Sequence, residues 1–376
     1  MWTRFIPFIS VAIASAIGAT APALAESALQ SLRHQSTMTT TVTDNGDLNP
    51  YAVVVAPATV GKIQKGDVLV DNFNNMSNLQ GTGTTIITFH PKSRSFDLFA
   101  KLPQKLSQCP GGIGLTTAMA VLSSGWVIVG STPSTDGTTA TKGPGCLLVF
   151  DANGTLATVW SGGQINGPWG NMAVVDNGSK ATLFISMSGF DVPGPDKIDA
   201  QTGVPVVIHK ATVLRLSLDI PANGPPKVTG RTIVASGLAE RADKDVFLIG
   251  PTGLALVGST LYVSDAIGNR IVAIPDALSR GGSAGTGREV TADGMLQRPL
   301  ALIALPGGHL ITTNGRNGEA VEIDAASGKQ LAAKWINANQ AQQPPGNGDL
   351  FGIAADPEGG FYYVNDDVNT LARVSP

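Results

Sequence analysis

One unit of three short apolar runs separated by turns recurs six times between residues 49 and 376. In its clearest copy, Gly250-Pro251 precedes the run LALV, a Gly-Ser turn leads to LYVSD, and the turn at Asn269-Arg270 leads to IVAIP. The turns of the copies are rich in Gly, Asn and Asp, which tolerate the positive φ angles of tight hairpins. Each copy therefore predicts a small antiparallel sheet. The other copies begin near residues 49, 111, 167, 298 and 348.

Six such sheets in succession are typical of a β-propeller, whose sheets are arranged as blades around a central axis. The sequence therefore predicts an all-β fold, a six-bladed β-propeller of four-stranded antiparallel blades, over residues 49–376. The last copy contains only three apolar runs. Because the Thr-rich stretch 36–43 has high β propensity, we predict that the N-terminal segment 26–48 supplies a ring-closing strand, the outermost strand of the last blade. The alternative is a disordered linker.

The first 25 residues have the pattern of a secretory signal peptide. Arg4 gives a positive start, residues 5–17 are mostly apolar, and small residues precede an expected cleavage after Ala25. The alternative, a membrane anchor, requires about 20 apolar residues, and the run is shorter. We therefore predict a signal peptide over 1–25, no membrane span, and export to the periplasm or the cell exterior.

Charged residues make up only 14% of the chain, and the formal net charge is −3. A nucleic-acid-binding protein needs a basic face, so nucleic acid is not an expected partner. The expected partner is a small molecule, a carbohydrate or a protein segment, and the protein is expected to be a monomer.

The clearest unit also resembles a known repeat. The stretches Gly250–Ala255, Leu261–Asp265 and Asn269–Ile271 together look like one NHL repeat, and Gly167-Pro168-Trp169-Gly170 is a weaker copy of its first part. The chain is thus similar to NHL-repeat propellers and, more distantly, to the six-bladed gluconolactonase and regucalcin group. This resemblance implies a funnel-shaped ring. It does not fix the function, because such rings host binding proteins, lyases, lactonases and scaffolds.

Three long insertions are expected on one rim of the ring, at 72–84, 131–145 and 188–210. Long loops on one side of a rigid scaffold are where binding usually resides, although neutral surface elaboration is the alternative. Trp169 and Phe351 are candidates for stacking on a sugar or planar ligand, or else for packing between blades, and Arg298 and Arg316 are candidates for an acidic group. The full set of candidate ligand-binding residues is Asn49, Asp71, Asn72, Trp169, Arg298, Arg316 and Phe351.

The chain has two cysteines, Cys109 and Cys146. Cys109 precedes the first strand of the second predicted blade and Cys146 begins its third strand, so both are expected at the same rim. In an exported protein this arrangement predicts a disulfide. It would contribute about 3–4 kcal/mol in the chain-entropy account.

The resemblance to the gluconolactonase group suggests a metal site, which that group builds from a Glu, an Asn and an Asp. Asp265 matches the Asp, but Thr252 replaces the Asn and no Glu precedes an inner strand. Asp265 and Asp349, with Asn49, are therefore weak candidates for Ca²⁺ or another divalent cation, although the leading hypothesis requires no cofactor. The alternative is that Asp265 caps the turn that follows it.

Histidine offers little obvious chemistry. His209, at the end of the longest insertion, is a weak candidate for a catalytic general base, with Asp191, Asp196 or Asp199 as a possible partner.

Three functions remain open on the sequence. The leading hypothesis is an exported propeller that binds its ligand on the long-loop rim of the central funnel. The first alternative is a divalent-cation-dependent hydrolase or lyase of the lactonase type. The second is an extracytoplasmic scaffold for protein interaction.

Overall fold

The structure is a computed structural model that describes residues 1–2 and 27–376. The predicted signal peptide lies almost entirely outside the described residues. Within the described part the fold is nearly all β, with 25 strands, one α-helix of one turn and one 3-10 helix at Thr139–Thr141. No helix in residues 1–2 or 27–376 is long and apolar enough to cross a membrane.

Six antiparallel sheets confirm the predicted six-bladed propeller, and in the first five blades consecutive strands pair from the axis outward. Blade 1 contains β2 (Leu48–Val55), β3 (Val68–Asn74), β4 (Thr85–His90) and β5 (Ser95–Lys101). Blade 2 contains β6 (Leu115–Val121), β7 (Val127–Ser131), β8 (Cys146–Phe150) and β9 (Leu156–Trp160). Blade 3 contains β10 (Ala173–Asp176), β11 (Lys180–Met187), β12 (Ile208–Asp219), β13 (Lys227–Asp243) and β14 (Phe247–Ile249).

The second half of the ring has more regular blades. Blade 4 contains β15 (Pro251–Val257), β16 (Thr260–Asp265), β17 (Arg270–Ile274) and β18 (Arg288–Ala292). Blade 5 contains β19 (Pro299–Ala304), β20 (His309–Asn314), β21 (Glu319–Asp324) and β22 (Gln330–Trp335). Blade 6 contains β23 (Leu350–Ala355), β24 (Phe361–Asn365) and β25 (Thr370–Ser375), and its fourth strand is β1 (His34–Thr40).

The pairing of β1 with β25 confirms that the N-terminal segment closes the ring. The segment also reaches the neighbouring blade, because the helix α1 (Ala28–Ser31) packs on blade 5. Leu29 and Leu32 are buried in the apolar cluster between blades 5 and 6. The ring is thus closed by one sheet and by one packed turn of helix.

Blade 3 departs from the predicted pattern. The sequence predicts its fourth strand over 231–237, but β13 is much longer and folds back on itself through β14. We call the segment from Arg241 to Ile249 the blade-3 hairpin. Its apolar side chains, including Val246 and Phe247, are buried in the cluster that lies between blades 6 and 1 around the axis. The hairpin therefore crosses from its own blade to the middle of the ring.

Candidate functional site

The centre of the ring is filled on the long-loop face by five aromatic side chains, Tyr51, Phe73, Trp169, Phe247 and Phe351, which we call the aromatic plug. The ring of Tyr51 stacks on Phe73 at 4.3 Å and on Phe351 at 4.0 Å between centroids. Phe247, the first residue of β14 in the blade-3 hairpin, lies 5.4 Å from Phe73 and 5.8 Å from Trp169 between ring centroids. Offset and edge-on contacts of this kind stabilise an aromatic cluster beyond its burial alone.

Two predicted ligand-binding residues belong to this plug. Trp169 is 3% exposed and Phe351 is 4% exposed. Their rings contact other side chains of the plug, which is the packing role that the sequence left open as the alternative.

Two further predicted residues lie just beneath the long-loop face. Asp71 is fully buried, where one of its oxygens accepts a hydrogen bond from the Ala52 amide at 2.8 Å. Burial raises the pKa of the Asp71 carboxyl well above its usual range. Asn72 is also buried and donates to the carbonyl of Thr41 at 2.8 Å, which joins blade 1 to the chain that follows β1.

A polar cavity of about 380 Å³ lies beside the plug, between the first and last blades. Its acidic side chains are Asp349, Asp366 and Asp367 from blade 6 and Asp245 from the blade-3 hairpin. Asn49 lines it from blade 1. We call this cavity the acidic pocket. The structure thus brings together Asn49 and Asp349, which the sequence had proposed for a ligand and a metal respectively.

Each of these side chains is positioned by the ends of inner and second strands. Asn49 precedes Pro50 with a φ of 58°, a backbone conformation that Asn tolerates better than most residues. The side-chain Nδ2 of Asn49 donates to a carboxylate oxygen of Asp366 at 3.3 Å, and the backbone N–H of Asn49 donates to the side-chain oxygen of Asn369 at 2.7 Å. Asp367 accepts from Asn339 at 2.7 Å. The long connection before β23 therefore folds over the pocket.

Two carboxyl groups of the acidic pocket, those of Asp349 and Asp366, have raised pKa values. Burial, together with the charges of Asp349 and Asp367, raises the pKa of Asp366 well above its usual range. Burial also raises the pKa of Asp349, although hydrogen bonds from Gln342 and Asn337 oppose this effect. A positive charge placed in the pocket would relieve this repulsion.

The two predicted arginines lie on the hairpin side of the axis. Arg298 has a φ of 60°, and its Nε is buried without a hydrogen-bond partner among the described residues. Burial lowers the pKa of Arg298, against the nearby charge of Asp243, and the positive charges of Arg316 and Arg241 lower it further. Arg316 is exposed.

The predicted cation ligands do not form one site. Asp265 accepts hydrogen bonds from Arg270 at 2.9 Å and from the Gly268 amide at 3.1 Å, so it holds the turn that follows it. The two oxygens of Asp349 accept from Asn337 and Gln342. In the part of the chain that the structure describes, no group of three or more His, Cys, Asp or Glu residues is arranged to hold a metal ion.

His209 is exposed on β12, and the acids proposed as its partners are engaged elsewhere. Asp191 pairs with Lys210 at 2.8 Å, and Asp196 pairs with Lys244 at 2.8 Å. Asp199 accepts from the backbone of its own turn, at Gln201 and Thr202. None of these contacts orients the His209 ring.

The predicted disulfide is present between Cys109 and Cys146, whose Cα atoms lie 5.3 Å apart. It ties the chain before β6 to the start of β8, below the 131–145 loop. The three predicted insertions lie on the same face, because each connects the second and third strands of its blade.

Three acidic residues of the pocket, Asp245, Asp366 and Asp367, are outside the set of predicted site residues, although the sequence does place Asp366 on the rim near the axis. Two of them belong to the polar run Asn365–Asn369 after β24, and this run was a usable signal because it occupies the same face as Asn49. Asp245 had no such signal, since it lies in a hairpin that the repeat pattern does not contain.

No family model matches the sequence, and no curated protein matches it either. Solved structures do match. A gluconolactonase from Xanthomonas campestris has a TM-score of 0.53 at 13% identity, over 91% of this chain and 89% of that chain. A calcium-binding protein, regucalcin, from Agrobacterium tumefaciens has a TM-score of 0.50 at 13% identity, over 91% and 93%. A glucose dehydrogenase has a TM-score of 0.54 at 13% identity, over 92% and 100%.

These matches and the sheet order define the class of protein, a six-bladed β-propeller. Within that class, the chain has a distant structural similarity to propellers of the gluconolactonase and regucalcin type. At these identities the similarity concerns the fold. The NHL-like pattern stays a prediction.

Proposed function

We propose that this protein is an exported binding protein that holds a small polar ligand with a positively charged group in the acidic pocket. The observation that supports the proposal is the charge of the pocket lining. Four carboxyl groups line the cavity, and none of the described residues that line it is Lys or Arg. Carboxylates that share a partly buried site without a cation repel one another, so a cationic ligand would be stabilised there.

The arrangement favours an extended organic cation over a single metal ion. A hard cation such as Ca²⁺ needs six to eight oxygens converging at about 2.3–2.6 Å. The carboxyl groups here are instead distributed around a cavity of about 380 Å³, and no metal-holding group was found in residues 1–2 and 27–376. Ammonium and hydroxyl groups on a small scaffold would reach several of them at once.

The neighbouring polar groups suggest how such a ligand is oriented. The amides of Asn49, Asn78 and Asn369 line the pocket and can bond hydroxyl groups. Arg298 and Arg316 remain proposed contacts for an acidic group at the hairpin side. Each hydrogen bond that involves a charged partner contributes about 1.5–3 kcal/mol.

The proposal is tested by calorimetric titration with matched pairs of compounds, glucosamine with glucose and putrescine with 1,4-butanediol. We expect the ammonium member of at least one pair to bind at least about tenfold more tightly than its hydroxyl analogue, which corresponds to about 1.4 kcal/mol. Asp366→Asn should remove this preference. The control is Asp219→Asn, which should leave it unchanged because Asp219 is an exposed residue at the end of β12. Equal binding of both members, or no effect of Asp366→Asn, would contradict the proposal.

A hydrolase or lyase of the lactonase type is the second candidate. Its support is the fold shared with a gluconolactonase and the raised pKa of Asp366, because a raised pKa is the shift that a carboxyl group needs to serve as a general acid. The described residues do not provide the divalent-cation site of that group. Hydrolysis of gluconolactone above the uncatalysed rate, lost in Asp366→Asn, would favour this candidate over simple binding.

A further inference from the structure

We propose that the propeller has a second, independent ligand site, the central channel on the face opposite the long loops, and that it binds an uncharged apolar small molecule. The channel has a volume of about 520 Å³. This falls within the range of about 300–1,000 Å³ that is usual for small-molecule sites. The inference does not depend on the acidic pocket, which lies on the other side of the aromatic plug.

All six inner strands contribute to the wall of the channel. The side chains that line it are mostly aliphatic, and each blade contributes at least one of them, namely Val54, Val121, Val174, Leu256, Ile303 and Ala355. The channel opens beside the turns between first and second strands, where Pro57, Ser123 and Asp176 lie. It therefore faces away from the three long loops.

The inner end of the channel is closed. Asn171 reaches across it and donates to the carbonyls of Leu254 at 2.9 Å and Leu302 at 3.2 Å. The oxygen of Asn171 accepts from the amides of the same two residues, each at 3.2 Å. Above Asn171 along the inner strands lie Trp169, Tyr51 and the rest of the aromatic plug. The channel is thus a cup with one opening.

Two of the three polar side chains of this cup, Asn171 and Asp176, already have partners within the protein, and the third is Ser123 at the opening. The amide of Asn171 makes the four hydrogen bonds given above, which use its donor and acceptor capacity. Asp176 accepts from the amides of Ser123 at 2.6 Å and Gly178 at 2.7 Å. A ligand would therefore gain little from these polar side chains, and any polar groups of its own would lose their hydration on entry. The side chains of the wall therefore favour an occupant that makes apolar contacts over a sugar or an ion.

The shape of the opening favours a small molecule over a macromolecule. The wall is a closed ring of six blades, so a folded partner cannot enter it, and the whole volume is that of a small organic ligand. Each methylene group moved from water to an apolar site strengthens binding by about fourfold. An uncharged ligand with a chain or fused rings would use this wall fully.

The test uses N-phenyl-1-naphthylamine, an uncharged probe whose emission rises in apolar surroundings, with the full protein. We expect saturable binding at a stoichiometry of one. Displacement by 1-hexanol, 1-heptanol and 1-octanol should improve about two- to fourfold for each added methylene. Absence of saturable binding, or displacement constants that do not depend on chain length, would overturn the proposal.

Two adjacent residues provide a matched pair of variants. Val174 lines the channel, whereas Val175 is 40% exposed and does not line it. Val174→Asp places a charge in the apolar cup and should weaken probe binding at least about tenfold, while Val175→Asp should not change it. If Val174→Asp fails to fold, the isosteric Val174→Thr should still weaken binding several-fold relative to Val175→Thr. Equal affinity in either pair would contradict the assignment.

Two further outcomes separate alternative explanations. If sedimentation shows a wild-type dimer that Val174→Asp dissociates, a second copy covers the opening and the small-molecule proposal is wrong. Asp366→Asn should leave probe binding unchanged, so failure of this site and failure of the acidic pocket are distinguishable.

Discussion

At the scale of single residues, Glu240 of β13 is a buried carboxyl group on the long-loop face with one oxygen that has no hydrogen-bond partner among the described residues. Its other oxygen accepts from the Gly189 amide. Burial raises the pKa of Glu240 to about 7, although the Gly189 amide and the charges of Lys142 and Lys210 oppose this, and the charge of Asp191 adds to it. Burial likewise lowers the pKa of Lys142 to about 8.

These shifts predict a pH-dependent stability. The folded protein holds the Glu240 proton more tightly than the unfolded chain, whose ordinary pKa is 4.5. The corresponding stabilisation is fully present below pH 4.5 and is lost as the pH rises through about 7. We expect the unfolding free energy of Glu240→Gln to decline by about 2–3 kcal/mol less than that of the wild-type protein between these pH values. Urea unfolding over a pH series measures this difference.

The control for this prediction is Glu289→Gln, whose side chain is 54% exposed. That variant should keep the wild-type pH dependence. If Glu240→Gln and the wild-type protein lose stability in parallel, Glu240 is already ionised in the folded state and the assigned shift is wrong.

The residues of the site could be predicted only in part. Asn49 and Asp349 were selected because each precedes an inner strand, and the repeat fixes which face that position occupies. Trp169 and Phe351 were selected by the same rule, yet both are buried in the aromatic plug. The repeat predicts on which face of the ring a residue lies, but it does not predict whether a segment from another blade buries that residue. Here Phe247 of the blade-3 hairpin stacks on Trp169 and buries it.

At the scale of elements, the blade-3 hairpin is the feature that most changes the shape of the long-loop face. Phe247 has a φ of 65°, which is rare and strained for a bulky residue. Its ring is fully buried against Phe73 and Trp169. The strain is tolerated because the aromatic contacts offset it, so the hairpin depends on this side chain.

We therefore predict that Phe247→Ala destabilises the protein by about 3–5 kcal/mol, the usual cost of removing a buried aromatic ring. The measurement is the midpoint of urea unfolding followed by tryptophan fluorescence, since Trp169 contacts the ring. Phe190→Ala is the control, because Phe190 is 49% exposed, and it should cost less than about 0.5 kcal/mol. A small loss in Phe247→Ala would show that the plug is not a unit of stability.

Strand existence was predictable from the sequence, whereas strand length was not. The run 231–237 has a strand composition, and it does form part of β13. The continuation to Asp243 has the charged sequence Glu240-Arg241-Ala242-Asp243, which does not alternate as a surface strand should. Arg241 is nevertheless buried and pairs with Asp243 at 3.3 Å. Tertiary pairing of this kind overrides the local pattern.

At the scale of the whole molecule, the ring itself was predictable because each copy needs a neighbour to cover its apolar face. The closing strand followed from the missing fourth strand of the last copy. What the sequence did not reveal is the second attachment. Glu322 of blade 5 is fully buried and accepts from Ser27 at 2.6 Å, the Leu29 amide at 2.7 Å and His309 at 2.6 Å. It therefore fixes the N-terminal segment to a blade with which β1 does not pair.

The attachment through Glu322 depends on pH. Burial alone would raise the pKa of Glu322, but the hydrogen bonds from Ser27, Leu29 and His309 lower it below its ordinary value. Its contribution to stability is thus present above the ordinary pKa of a Glu and is lost as the pH falls through the lowered value. Glu322→Gln leaves buried donors without a charged acceptor, and we expect a loss of about 3 kcal/mol at neutral pH.

Hydrogen exchange distinguishes loss of the attachment from general destabilisation. In Glu322→Gln the amides of Ala28 and Leu29 should exchange faster under native conditions, and those of β1 should follow, while the amides of β16 in blade 4 stay protected. The control is Glu358→Gln, whose side chain is 83% exposed and whose effect should be within about 0.5 kcal/mol. If exchange rises equally in all blades, the substitution destabilises the whole propeller and Glu322 is not a separate attachment of the N-terminal segment. If it rises only at the N-terminal segment, Glu322 is the second closure of the ring.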